Sequence, residues 1–225
     1  MINTFKNQLD SSSLFSKFPV DTLEMIEKLA IHKKYQKQEQ VVGQGEKWPY
    51  LLMVHQGSIN AIKDAPDGRF LVAATFFPGD IFWGVSFFDE RYLMPATLIA
   101  QEDLILYMWH KTTLLPYILQ EGRASWELTR LVVDRLFMAG EKIGEMTFQP
   151  VGARLAKLLV NSSKDEVGTP IERNMTLDEM AARIGTTREM VCRLLHKFSD
   201  DGLIDITRTE YTIKNPDALK GMMEN

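Results

Sequence analysis

Two hydrophobic periods divide this chain. From about Glu39 to Trp109, apolar residues fall in short β-type runs punctuated by glycine turns. The runs are Gln40-Val41-Val42, Leu51–His55, Ser58–Lys63, Phe70–Thr75, Thr97–Ala100 and Leu104–Trp109. The turns fall at Gly43-Gln44-Gly45, Gln56-Gly57, Pro66-Asp67-Gly68 and Pro78-Gly79-Asp80. Many short strands at this spacing predict a small β-barrel or jelly roll. Elsewhere the period is helical. Asp21–Lys33 reads as a helix with Asp21 and Glu24 in capping-box spacing, and Arg123–Met146, free of proline, reads as one long helix.

The sharpest pattern lies in Met175–Phe198, which spells two short helices about a glycine. Thr176 and Glu179 have capping-box spacing, and Thr186 and Glu189 repeat it. Ala181 is small enough to let two helices approach, Ile184 suits the core, and Gly185 can take the positive φ of a tight turn. Met190, Val191, Leu194, Leu195 and Phe198 then make one buried stripe. The opposite stripe carries Arg188, Glu189, Arg193 and Lys197, with Thr187 near the helix start.

On an isolated helix such a stripe is a solvated face. Behind a glycine turn at this spacing it suits a duplex. Guanidinium groups can fork onto guanine O6/N7 and a glutamate can accept from cytosine N4, each good bidentate contact being worth about 1–3 kcal/mol of base discrimination. Thr176, Thr187 and the helix N-terminal N–H groups can hold phosphates, and Thr186 stands with them as a candidate contact. The segment therefore predicts a DNA-binding helix-turn-helix. Gly202–Ile206 and Tyr211–Ile213, separated by Thr207-Arg208-Thr209-Glu210, read as a hairpin wing with Arg208 at its tip as a candidate phosphate contact.

Val132, Leu136, Ala139, Ile143 and Met146 are spaced 4, 3, 4, 3 along the long helix, the seam of a coiled coil. The alternative is a helix packed on its own barrel. A homodimer fits the second half better, since it places two reading helices in successive major grooves about 34–36 Å apart.

Composition narrows these readings. The 225 residues suffice for two cores. No apolar run approaches the ~20 residues of a membrane-spanning helix, and the start MINTFKNQLD lacks the regions of a signal peptide, so a cytoplasmic protein is expected. Cys192, the single cysteine, rules out an intramolecular disulfide or a cysteine-ligated iron–sulfur cluster within one chain, and is most simply a small helix residue. The net charge of −4 argues against indiscriminate coating of nucleic acid but not against a specific reader. Residues 148–225 hold 11 Lys/Arg and 12 Asp/Glu, so any positive field is local to the reading helix.

The order of parts resembles the cyclic-AMP receptor protein/FNR (Crp/Fnr) family of bacterial transcription regulators over nearly the whole chain. Thr187-Arg188-Glu189 followed by Arg193 looks like the receptor-protein pattern that reads a TGTGA-type half-site, and Gln56-Gly57-Ser58 and Pro78-Gly79-Asp80 also match. The resemblance implies an α+β protein in three parts. Residues 1–120 would form an effector-sensing domain, a double-stranded β-helix (jelly-roll, cyclic-nucleotide-binding-like) barrel. Residues 121–147 would be the dimerisation helix and 148–225 a winged helix-turn-helix. It also implies double-stranded DNA, a second copy of the chain and RNA polymerase as partners, with Thr176 on a phosphate.

The departures concern the effector. Cyclic-nucleotide binders of the family carry a Gly-Glu-Leu element whose glutamate binds the ribose, then an arginine that pairs with the phosphate. Here the stretches read Gly84-Val85-Ser86 and Met94-Pro95-Ala96. A buried phosphate without a cation costs several kcal/mol, so cyclic AMP is not the expected effector. The run Ile81–Phe88 is rich in aromatics, which is more often core than a ligand box. If it lines a pocket, Phe82, Trp83, Val85, Ser86, Met94 and Thr97 are its candidates, with Arg135 added by approximate position in the family. The effector would then be an apolar or aromatic small molecule, or a haem ligated by His32, His55 or His110. Two further readings stay open: a constitutive DNA binder with a ligand-free barrel, and a cupin-like metalloenzyme. The second lacks a His-x-His pair, a nucleophile elbow or a P-loop.

Overall fold

The computed structural model describes residues 5–65, 68–163, 168–173 and 175–223, so Pro66 and Asp67 of the expected third turn lie outside it. In chain order the elements are α1 (Phe5–Ser11), α2 (Val20–Lys28), β1 (Ile31–Tyr35), β2 (Gln40–Val42), β3 (Tyr50–Gln56), β4 (Ile59–Asp64), β5 (Phe70–Phe76), β6 (Ile81–Trp83), β7 (Thr97–Ala100) and β8 (Leu104–His110). There follow α3 (Lys111–Gln120), α4 (Gly122–Phe148), α5 (Val151–Ser162), β9 (Ile171–Glu172), α6 (Leu177–Ile184), α7 (Arg188–Asp200), β10 (Ile204–Ile206), β11 (Glu210–Ile213) and α8 (Pro216–Gly221). Two units result: Met1–Asp64 with Val72–Leu136, and Ala65–Leu71 with Phe137–Asn225.

The strands of the first unit do not close into the expected barrel. They form two separate four-stranded sheets, ordered β1-β8-β3-β6 and β2-β7-β4-β5. Closure needs the sheet edges to pair with each other. Here the edge strands β6 and β2 are only three residues long, and the chain leaves β6 into a 3-10 turn at Val85–Phe87. The sheets instead pack face to face. Leu52, Val54, Leu104, Leu106 and Met108 of one meet Val42, Ile59, Ala61, Phe76, Leu98 and Ala100 of the other.

Strand alternation gives β3 and β8 a second buried face. Leu51, Met53 and Trp109 turn the other way and join Leu9, Phe15, Ile26, Leu114, Ile118, Ala124 and Leu128 in a core shared with the helices. The Trp109 indole donates to the Ile26 carbonyl at 2.8 Å, which ties down α2. That helix is shorter than expected: it starts after Pro19 without a side-chain cap and ends at Lys28. Residues 31–35 pair with β8 along their whole length, so the sheet edge overrides the helical pattern there.

In the second unit, α5, α6, α7, the wing and α8 enclose Leu155, Leu159, Met180, Ile184, Val191, Leu195, Phe198, Ile204, Tyr211 and Leu219. The wing is β10 and β11 as expected, with β9 added on the far edge of β11. The Tyr211 hydroxyl donates to the Leu159 carbonyl at 2.9 Å and fixes the wing to α5. Among the described residues no helix is long and apolar enough to cross a membrane.

Candidate nucleic-acid interface

The turn between α6 and α7 is built as its residue types require. At the start of α6 the Thr176 hydroxyl accepts from the Glu179 N–H at 3.2 Å, and Glu179 accepts from the Thr176 N–H at 2.7 Å, a closed capping box. The same hydroxyl also donates to the Glu179 carboxylate at 3.1 Å, so the cap already engages the group expected on a phosphate. Gly185 ends α6 with φ +63°. The second cap sits one residue later than the Thr186/Glu189 spacing suggests. Thr187 is the N-cap of α7, accepting from the Met190 N–H at 3.4 Å, whereas the Thr186 N–H donates back to Ala181.

This register sets what α7 shows to solvent. Val191, Leu195 and Phe198 are buried, while Thr187, Arg188, Glu189, Arg193 and Lys197 are exposed. His196, not singled out in the sequence, is exposed too. It lies seven residues after Glu189 and three after Arg193, which puts it on the same helical face. Glu189 keeps its carboxyl below the usual range through its own backbone N–H, the Thr187 hydroxyl and the Arg188 charge. It is an acceptor at neutral pH. Arg188 pairs through Nη1 with Asp178 at 3.1 Å. At the wing, Arg208 is exposed and its carbonyl accepts from the Arg173 guanidinium at 2.6 Å.

The last turns of α4 are locked to this module. Lys142 donates to the Arg183 carbonyl at the end of α6, and Glu145 accepts from Lys142 at 3.2 Å and from Lys157 of α5 at 3.0 Å. Arg154, 6% exposed, donates to the Met146 carbonyl at 2.8 Å, so a guanidinium closes the negative end of the helix. Met146, half-buried, packs on Gly185. The rest of the seam is open in the single chain: Val132, Leu136, Ala139 and Ile143 are all exposed. A buried Arg154 leaves no mark in a heptad pattern.

In the first unit the candidate effector residues are largely occupied by their own neighbours. Phe82 stacks on Phe76 with ring centroids 4.3 Å apart, and the Arg135 guanidinium lies 4.8 Å above Phe76 while donating to the Ile81 carbonyl. Ser86, fully buried, donates to the Tyr92 carbonyl at 2.6 Å. Thr97 accepts from the Gln44 N–H and donates to Asp64. Trp83 meets Phe88 edge-on, and half-buried Val85 opens the 3-10 turn. Met94 is buried against Gly84, whose missing Cβ would stand 1.8 Å from the Trp48 carbonyl oxygen. The structure thus brings Phe82 and Arg135 together through Phe76, and leaves Thr97 in a separate polar group.

Of the three histidines outside α7, His32 and His55 both pack on the Tyr107 ring, at 5.2 and 5.3 Å between centroids, and His110 packs on Tyr50. His32 lies on β1 and His55 on β3, where its Nδ1 is 2.6 Å from Gln8 Oε1. Burial, and then the charge of His32, holds the His55 imidazole below its ordinary value. His110 caps α3, accepting from the Thr112 N–H.

The second unit has the build of a winged helix-turn-helix, and the first that of a β-sandwich. Residues 153–222 match the Crp-like helix-turn-helix domain and residues 32–121 the cyclic nucleotide-binding domain. The chain belongs to the Crp/Fnr family of DNA-binding transcription regulators, a class of binding proteins and not of enzymes. It is 28% identical over 178 residues to the cAMP-activated global transcriptional regulator CRP of Salmonella typhimurium, covering 77% of this chain and 84% of that one. To the CRP-like cAMP-activated global transcriptional regulator of Mycobacterium tuberculosis it is 25% identical over 185 residues, 80% and 82% of the two chains. The fold is shared with the c-di-GMP responsive global regulator CLP of Xanthomonas campestris, with TM-score 0.77 and 21% identity over 87% of this chain and 99% of that chain. It is shared also with a CooA mutant from Carboxydothermus hydrogenoformans, with TM-score 0.71 and 19% identity over 95% and 96%.

Proposed function

We propose that the chain acts in the cytoplasm as a homodimer, reads two inverted TGTGA-type half-sites through α7 of each copy, and answers to a small-molecule effector other than cyclic AMP. The observation that carries the DNA reading is the exposure of Arg188, Glu189 and Arg193 together on α7, behind a capped turn. Exposed Thr187 and Arg208 would take flanking phosphates, with Lys197 at the edge of the stripe. Thr176 joins them only if its hydroxyl turns away from Glu179, and Thr186 lies beside the turn.

The dimer rests on α4. Leu136 and Ile143 are 73% and 67% exposed in the single chain, and large apolar side chains left bare at seam positions call for a partner helix. Residues 121–147 are then the dimer helix between a sensory part, 1–120, and a reading part, 148–225. RNA polymerase is the downstream partner of such a regulator.

The effector reading rests on Val85 and Met94. Half-buried Val85 stands where the family's glutamate meets the ribose, and buried Met94 opens the stretch where its arginine meets the phosphate; neither side chain offers the acceptor or the cation those groups need. The stacked Phe76–Phe82 pair is the surface that suits an aromatic or apolar ligand. Its binding would shift the packing of the long helix, and with it the spacing of the reading helices, by its differential affinity for the two states.

The test is binding of the full chain to a duplex with two inverted TGTGA-type half-sites and to a scrambled duplex, at a fixed salt of about 150 mM. A preference of about 10³-fold or more supports the reading. Equal binding to both duplexes counts against the half-site. Calorimetric titration with cyclic AMP should give no heat, and sedimentation should give a dimer that Leu136→Glu dissociates.

A further inference from the structure

We propose that Asp178, in the first turn of α6, determines the base specificity of α7 by holding Arg188 in its reading posture. This rests on the DNA reading above and deepens it.

The Asp178 carboxylate accepts from Arg188 Nη1 at 3.1 Å, with the two side chains 53% and 60% exposed. Arg188 is the first residue of α7, and Thr187, its N-cap, is directed to the Met190 N–H. Asp178 is the partner that the helix-turn-helix supplies to the guanidinium. A guanidinium carries five N–H donors in a rigid fork, and a bidentate guanine contact uses two of them. Binding by Nη1 leaves the Nε and Nη2 edge, whose two parallel N–H groups match guanine O6 and N7.

The holder is itself fixed. Asp178 lies one residue past Leu177 in a helix closed by the Thr176–Glu179 box, with Met180, Ala181 and Ile184 buried beneath it. An acidic side chain in a first turn also sits well with the helix dipole. Its place is costly for non-specific contact, because a carboxylate beside the duplex opposes the phosphate attraction that dominates affinity. Asp178 therefore lowers affinity for any sequence while it sharpens the choice of one base. Those effects have opposite signs, and that separates positioning from a plain surface charge.

The experiment measures the full chain, Asp178→Asn, Asp178→Glu, Arg188→Ala and the Asp178→Asn/Arg188→Ala double variant at one salt concentration. The duplexes are a random-sequence one, the inverted half-site, and the half-site with each guanine replaced in turn; circular dichroism checks that each variant is folded. Asp178→Asn should bind the random duplex several-fold tighter and lose about tenfold of the preference at the guanine whose preference Arg188→Ala abolishes. Asp178→Glu should restore part of that preference, and Asp178→Asn should change nothing at that guanine once Arg188 is alanine. If Asp178→Asn tightens binding to all duplexes equally with the guanine preference intact, the proposal is overturned and the DNA reading stands. If Arg188→Ala leaves every base preference unchanged, base reading by Arg188 falls and the proposal falls with it.

Discussion

The ε-methyl carbon of Met146 lies 3.1 Å from the point where a β-carbon on Gly185 would stand. Gly185 also has φ +63°, so one residue answers both to a backbone turn and to the packing of α4 on that turn. Gly185→Ala should cost about 1–2 kcal/mol for the left-handed backbone alone, with the displacement of Met146 added to it. Chemical unfolding followed by circular dichroism measures the total. Adding Met146→Ala should recover the contact part and leave the backbone part. A fully additive double variant would show that the two residues do not interact.

Caps give a test of register. Thr187 is the N-cap of α7, and Thr186 is not. Thr187→Ala should lower stability by about 1 kcal/mol, and Thr186→Ala by a few tenths at most. The reverse order in denaturant midpoints would move the start of the reading helix by one residue.

Glu145 makes the second unit sensitive to acid. Burial raises its carboxyl, but the hydrogen bonds and charges of Lys157 and Lys142 outweigh burial and hold it below its ordinary value of 4.5. A carboxyl depressed on folding contributes stability that is complete above the unfolded value and is lost as pH falls through the folded one. Urea midpoints taken from pH 6 to pH 3.5 should therefore fall more steeply for the unaltered chain than for Glu145→Gln. At pH 7 the variant should be less stable by about 1 kcal/mol or less, as befits a partly exposed pair. Parallel pH curves would remove Glu145 from the clasp.

Two glycines of the first unit should respond differently to the same change. A β-carbon on Gly84 would meet the Trp48 carbonyl oxygen at 1.8 Å, whereas on Gly79, with φ +93°, it would meet nothing within 4 Å. Gly84→Ala forces two backbones apart and should cost about 3 kcal/mol or more, with Gly79→Ala costing about 1–2 kcal/mol for its conformation only. Thermal unfolding read by tryptophan fluorescence separates the two. Similar melting points would mean that the Gly84 backbone yields easily, and that the close approach to Trp48 does not require a glycine there.

Much of this molecule was legible in the chain because the signals are local. The Thr176–Glu179 box, the Gly185 turn and the stripe Val191, Leu195 and Phe198 depend on residues within a turn or two of one another, and each stands where its spacing puts it. Six of the strands are likewise near their alternating runs. What failed depends on distant partners. The first three residues of β1, Ile31–Lys33, fall within the predicted helix; the strand's register comes from β8, about 70 residues away. β9, two residues long, exists by pairing with β11.

By itself, then, the sequence determined the kind of protein: capped helices about a glycine, a wing, a long helix with an apolar seam, and an exposed Arg188-Glu189…Arg193 stripe. These are properties of neighbouring residues and of helical or pleated period. The tertiary structure alone decided that the sheets stack without closing, that Met146 packs on Gly185, and that Asp178 pairs with Arg188. Each of those is a contact between elements, and spacing along a chain carries no information about which elements meet.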